Sequence, residues 1–193
     1  MNKAGIAALA AIGGIVVGAF VGPAVTGAAP GAASAIDGTL ADRIAIEDLV
    51  TRYYENLGGE AAGQFASYYT EDAVFDVNGV ISTGREEIEA LYAAMDSEGD
   101  APAVQGTFHM IISNPIIDVD GDSATAKFLW TGVMNTDVAA RAEIYEQGRE
   151  YDLLVRQDGQ WLIRKRTVIA DSGLPERFAA TYQPRKDYVI PKD

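Results

Sequence analysis

TFHMIISNPIIDVDGDSATAKFLWTGVMN, residues 107–135, is the stretch whose reading decides the fold. Side-chain character alternates with a period of two on either side of Asp120 and Gly121, a pair suited to a tight hairpin turn. The same pattern recurs downstream, where residues 143–157 and 160–170 flank Asp158 and Gly159. Four strands, 107–119, 123–135, 143–157 and 160–170, are therefore expected as an antiparallel meander.

Upstream of this stretch the period lengthens to that of a helix. Ile46, Val50, Tyr53 and Leu57 recur at spacings of four, three and four, and Gly58 and Gly59 stop the run, so a first long helix is expected over 41–57. A short helix about 60–69 follows, with Phe65, Tyr68 and Tyr69, and then AVFDV (73–77) alternates as a strand that Asn78 and Gly79 end. Beyond Gly84, REEIEALYAAM reads as a helix with Ile88, Leu91 and Met95 inward, and residues 97–106 form a loop rich in Gly, Asp and Pro. Helices first and strands later imply an α+β domain over 41–170, with a bent sheet packed on its helices and a ligand cavity at its open end. The prolines and charges of residues 171–193 suggest an irregular arm.

The first 35 residues differ from the rest. Lys3 is their only charge, and residues 4–25 are an apolar run rich in Ala, Gly, Ile and Val. Two readings stand. The run is a signal peptide cleaved near Ala33, Ser34 and Ala35, or an anchor that stays in the membrane with Gly14, Gly18 and Gly22 on one helix face for close packing against another helix. Either way Lys3 stays inside and the domain is exported, to the periplasm or beyond the cytoplasmic membrane, with residues 36–40 as a flexible linker.

Composition removes several classes of function. The 28 acidic against 15 basic residues repel phosphate backbones, so nucleic acid is not an expected partner. The chain has no cysteine, which excludes disulfides, thiolate metal sites and cysteine nucleophiles. Asp118, Asp120 and Asp122 are spaced like the start of a calcium loop, but the twelfth position is Leu129 where a bidentate glutamate belongs; no metal is expected. No phosphate-binding glycine loop is present, so neither a nucleotide nor any other cofactor is expected.

Taken in order, ADRIAIEDLVTRYYENL, YYTEDAVFDVNG, GREEI, the 107–130 stretch and REYDLLVRQDGQWLIRKR resemble the SnoaL-like branch of the nuclear transport factor 2-like superfamily over roughly 41–168. The resemblance implies a cone-shaped antiparallel sheet with a deep apolar pocket, commonly dimerising through the sheet. Scytalone dehydratase, bile-acid 7α-dehydratase and hexachlorocyclohexane dehydrochlorinase belong to this branch and carry out cofactor-free eliminations. Their pocket histidine is a general base oriented by an aspartate, with a tyrosine nearby. By position in these motifs His109 matches the histidine and Tyr53 the tyrosine. Gly58 stands where the aspartate is expected, which leaves Glu60 as its substitute.

A free histidine titrates at about 6.5, as a base working near neutrality requires. Tyr53 would assist the leaving group or an enolate. Tyr54, Phe75, Trp130 and Met134 are the expected substrate-contacting residues, with Tyr54 nearer the rim. Core packing accounts for these aromatic positions equally well. The expected function is an exported lyase or isomerase acting on a small hydrophobic or aromatic molecule. The alternatives are an apolar-ligand-binding module or a membrane-anchored subunit of a larger assembly.

Overall fold

A computed structural model describes residues 30–56, 65–97 and 106–182 of the chain. Glu60, the side chain of Met95 and the apolar run of residues 4–25 lie outside the described residues.

The chain opens with α1 (Pro30–Glu55). Of its expected inward stripe, Ile46, Val50 and Tyr53 are buried, each contributing roughly 1.5–3 kcal/mol by leaving water, and Leu57 lies outside the described residues. The helix begins earlier than expected, so residues 36–40, read as a linker, are helical. No helix among the described residues is long and apolar enough to cross a membrane. A single 3-10 turn (Phe65–Tyr68) leads into β1 (Tyr69–Val77), so Tyr69 belongs to a strand and not to the expected second helix. Asn78 and Gly79 turn the chain with φ of 51° and 90°, and a short β2 (Val80–Thr83) pairs back on β1. Next comes α2 (Gly84–Ser97), whose Ile88 is fully buried.

The remaining strands are β3 (Thr107–Asp120), β4 (Ser123–Asn135), β5 (Glu143–Gln157) and β6 (Gln160–Ser172), close to the expected bounds. The β5–β6 turn uses Asp158 and Gly159, both at positive φ. Between β3 and β4 the two turn residues are Gly121 and Asp122, because Asp120 pairs with Ser123; Gly121, at φ 61°, takes the first central position that a type II′ turn reserves for glycine.

The six strands run in the order β2-β1-β6-β5-β4-β3. All neighbours are antiparallel except β1 and β6, which pair in parallel and correct the expectation of a wholly antiparallel sheet. Register shifts interrupt four of the strand pairs, and such bulges bend a sheet. One of them holds Asn114 and Pro115 on edge strand β3, where a missing backbone N–H is tolerated.

The far end of the sheet is tied to α1, where Asp42 accepts from the Trp161 indole at 3.2 Å and pairs with Arg156 at 2.6 Å. Residues 173–182, the described part of the expected arm after β6, are less irregular than expected. Phe178, in the four-residue helix α3 (Glu176–Ala179), is fully buried, and Asn78 donates its amide to the carbonyls of Ala170 and Phe178 at 3.1 and 3.3 Å.

Candidate active site

Strand pairing sets which side chains face the helices. Met110, Gly132 and Glu146 sit side by side across β3, β4 and β5, and Trp130 lies beside Gly148. Alternation then sends Phe108, Met110 and Ile112 of β3 inward, with Phe128, Trp130 and Met134 of β4. On β5 the same rule turns Glu146, Gly148, Glu150 and Asp152 inward, so three acids line up on the concave face.

A pocket of about 140 Å³ opens between this face and the helices. Tyr53 and Tyr54 of α1 and Tyr92 of α2 form one wall. Phe75 and Val77 of β1, Val168 of β6 and Leu174 form another, and Met110, Trp130 and Glu146 complete it. Two glycines make room for the acid. A Cβ on Gly132 would lie 2.5 Å from the Glu146 Cγ and 2.7 Å from the Phe108 ring, and one on Gly173 would overlap the Glu146 backbone. Gly148 does the same for Trp130, because a Cβ there would overlap the indole and lie 2.5 Å from the Ile169 carbonyl oxygen.

Among the described residues lining this pocket, Glu146 is the only ionisable carboxyl. Burial pushes its pKa up to about 7, because apolar walls disfavour the charged form. A carboxyl poised near neutrality in an apolar pocket is suited to accept a proton from carbon.

Deeper along β5 lies a buried polar cluster. The Arg166 guanidinium donates to both Asp152 oxygens at 2.9 Å and lies 3.0 Å from Glu150 Oε1, and all three residues are fully buried. The guanidinium also sits 3.9 Å from the centre of the Tyr53 ring, a cation–π contact. Burial opposes the charge on Arg166, but Asp152 and Glu150 hold its pKa well above the usual value. Glu150 is pushed well above the carboxylate range, first by burial and then by Asp152, with Arg166 opposing. One guanidinium faces two carboxyls, which favours the protonated form of Glu150.

The two pocket tyrosines meet this cluster differently. The Tyr54 hydroxyl is hydrogen-bonded to Glu150 Oε2. The Tyr53 hydroxyl accepts from Tyr69 at 3.2 Å. Burial pushes Tyr53 up to about 12 and Tyr54 well above the ordinary phenol value.

Several expected residues do meet here. Tyr53, Tyr54, Phe75 and Trp130 line the pocket, and Tyr54 is buried at its wall instead of sitting at the rim. Met134 is buried on the same face but lies outside the lining. His109 is a correction. It alternates with Phe108 and Met110, so it projects from the outer side of β3 and is exposed, away from the pocket. The residues missed were Glu146, Glu150, Asp152 and Arg166. Their signal was an acid at positions 146, 150 and 152 of a central strand, which a period of two places on one face.

A smaller pocket of about 80 Å³ lies beside Asn78, Thr167 and Thr181, but its Asp76 carboxylate already accepts from the Gly79 amide at 2.7 Å. Among the described residues, no three histidine, aspartate or glutamate side chains converge as metal ligands.

Comparison with known proteins agrees with this architecture. No curated protein matches the chain. Among solved structures it is similar to an aspartate-to-asparagine variant of Rv3472, a Mycobacterium tuberculosis protein of unknown function, with 25% identity over 70% of this chain and 75% of that one and a TM-score of 0.59. It is also similar to a nuclear transport factor 2-like protein with a cystatin-like fold from Novosphingobium aromaticivorans, at 20% identity over 80% and 97% of the two chains and a TM-score of 0.62. A third similar structure, a protein provisionally named scytalone dehydratase from the same organism, has 20% identity over 70% and 87% of the chains and a TM-score of 0.57. The SnoaL-like domain matches residues 38–167, and the chain belongs to that family.

Proposed function

We propose that the domain is a cofactor-free lyase or isomerase for a small apolar substrate, and that Glu146, not His109, is its general base. The observation that carries this reading is one carboxyl, raised to about 7 by burial, in an otherwise apolar and aromatic pocket. The substrate enters the pocket, and Glu146 takes a proton from carbon while the aromatic walls exclude water. Tyr53, Tyr54, Phe75 and Trp130 hold the substrate.

A suitable probe is 5-nitrobenzisoxazole, a flat aromatic molecule that a carboxylate opens by removing one C–H proton. Glu146→Gln should lower its turnover roughly 10²- to 10⁴-fold, the usual contribution of a positioned base. Wild-type rate should rise with pH through about 7, because the base works only when ionised. A flat profile from pH 5 to 8, or a Gln variant with undiminished rate, would remove the base from the pocket.

The second reading, an apolar-ligand-binding module, draws on the lack of a histidine among the residues lining the pocket. Binding of the probe by wild type without turnover would favour it. The apolar run of residues 4–25 supports an exported protein, as a cleaved precursor or as an anchored subunit held through Gly14, Gly18 and Gly22. Intact mass after membrane extraction distinguishes them: a chain starting near Met1 is anchored, and one starting near Ile36 is cleaved.

A further inference from the structure

We propose that Tyr54 delivers a proton to the departing group and that Glu150, directly behind it, is the positioning residue that re-supplies that proton. This inference rests on Glu146 as the base and adds the acid half of the same reaction. An elimination needs both halves, because the group that leaves carries away an electron pair and must be neutralised inside an apolar pocket.

The geometry separates the two tyrosines. Both line the pocket with Glu146, but only Tyr54 has a carboxyl at its hydroxyl. Tyr53 meets the hydroxyl of Tyr69, a phenol that burial and Tyr53 itself hold well above its ordinary value and so a poor source of protons. Tyr54 alone is no better, since its buried phenoxide would be costly. It can give up a proton only while taking one from behind, and Glu150 is there with one to give.

The groups that face Glu150 are arranged for that exchange. Tyr53 and Tyr54 approach from α1, Tyr69 lies nearby on β1, Arg166 faces it from β6, and Asp152 follows it on β5. Asp152 engages two nitrogens of Arg166, which favours the neutral form of Glu150; Arg166 at 3.0 Å stabilises the carboxylate once the proton has moved forward. At rest the Tyr54 hydroxyl donates to Glu150 Oε2; in the relay that O–H turns to the pocket and the Glu150 proton follows onto the Tyr54 oxygen.

The step balances. The Glu146 carboxylate takes the C–H proton, that electron pair becomes the new π bond, and the bond to the leaving group breaks with its pair on the leaving atom. Tyr54 protonates that atom and Glu150 protonates Tyr54. Glu146 then releases its proton to water at the pocket mouth, and water returns one to Glu150 through Tyr54.

Leaving-group dependence tests this with two probes that share the C–H cleavage. The phenoxide from 5-nitrobenzisoxazole needs little protonation, whereas that from unsubstituted benzisoxazole needs more. Tyr54→Phe and Glu150→Gln should each slow benzisoxazole roughly tenfold or more and the nitro compound less than about threefold, with no further loss in the double variant. Equal losses on both probes, or no loss, overturn the relay. Should Glu150→Gln fail to fold by thermal melting, Tyr54→Phe decides alone. Glu146→Gln separates the two claims: if it slows both probes while the relay variants slow neither, the base stands and the relay falls. If it slows neither, the base falls and takes the relay with it.

Discussion

Strands β4 and β5 lie side by side in register, yet they put opposite chemistry on the same concave face. Inward residues of β4 are Ala124, Ala126, Phe128, Trp130 and Met134, all buried and apolar. Those of β5 include Glu146, Glu150 and Asp152. The first strand gives the pocket its apolar shape, and the second carries the ionisable groups. A wall of the first kind alone would give a pocket that binds, and the second kind alone could not be dry. The site is a seam, with Glu146 facing apolar neighbours across Gly132 while Glu150 and Asp152 share the Arg166 guanidinium.

The largest effect on stability that separates the strands should come from Asp152→Ala. It removes the two-nitrogen contact of Arg166 and leaves Glu150, at 3.0 Å, as the remaining carboxyl beside the buried guanidinium, so it should lower unfolding free energy by about 2–4 kcal/mol in a denaturant titration. A loss below about 1 kcal/mol would mean that the cluster is not charge-compensated in this way.

Glu146→Gln should do the reverse. The folded-state pKa of about 7 lies above the ordinary 4.5, so the carboxyl carries no penalty below pH 4.5, and the cost of its burial accumulates between pH 4.5 and 7 and levels off above 7. The variant should therefore match wild type at pH 4 and exceed it by up to about 3 kcal/mol at pH 8, by thermal melts at both values. A variant no more stable at pH 8 would show that the base is well solvated.

His109→Ala should give the smallest effect, a stability change within about 0.5 kcal/mol and turnover within about twofold, since the residue is exposed on the outer face. A larger loss of turnover would bring that face into the chemistry.

Much of the fold could be read from residue periods. Turn pairs such as Asp158 with Gly159, and alternation in 123–135, mark strand ends with little ambiguity. The early start of α1 could not, because residues 30–40 are small and turn-forming and carry no stripe. Nor could the burial of Phe178, which depends on Asn78 a hundred residues away.

The aromatic side of the pocket was legible, since Tyr53, Phe75 and Trp130 are what an inward position usually holds. His109 was assigned to the wrong face. In TFHMII both alternating sets contain apolar residues, Phe108 and Met110 in one and Ile111 in the other, so period alone does not choose between them. Glu146 and Glu150 were missed for a related reason. Tyr151 and Leu153 are buried on the opposite side of β5 beneath Tyr182, so the apolar signal on that strand is two-sided and the acids read as solvated.

The parallel pairing of β1 with β6 governs when the pocket can exist. Asn78 and Ala170, joined through the Asn78 amide, stand 92 residues apart in the chain. The pocket wall built from Phe75, Val77 and Val168 therefore closes only after the last strand has docked. Contacts so distant along the chain are slow to form, so a nascent protein should pass through a state with its helices and β3–β5 meander assembled but no cavity. Its function would then switch on in one late step of folding rather than grow with the chain.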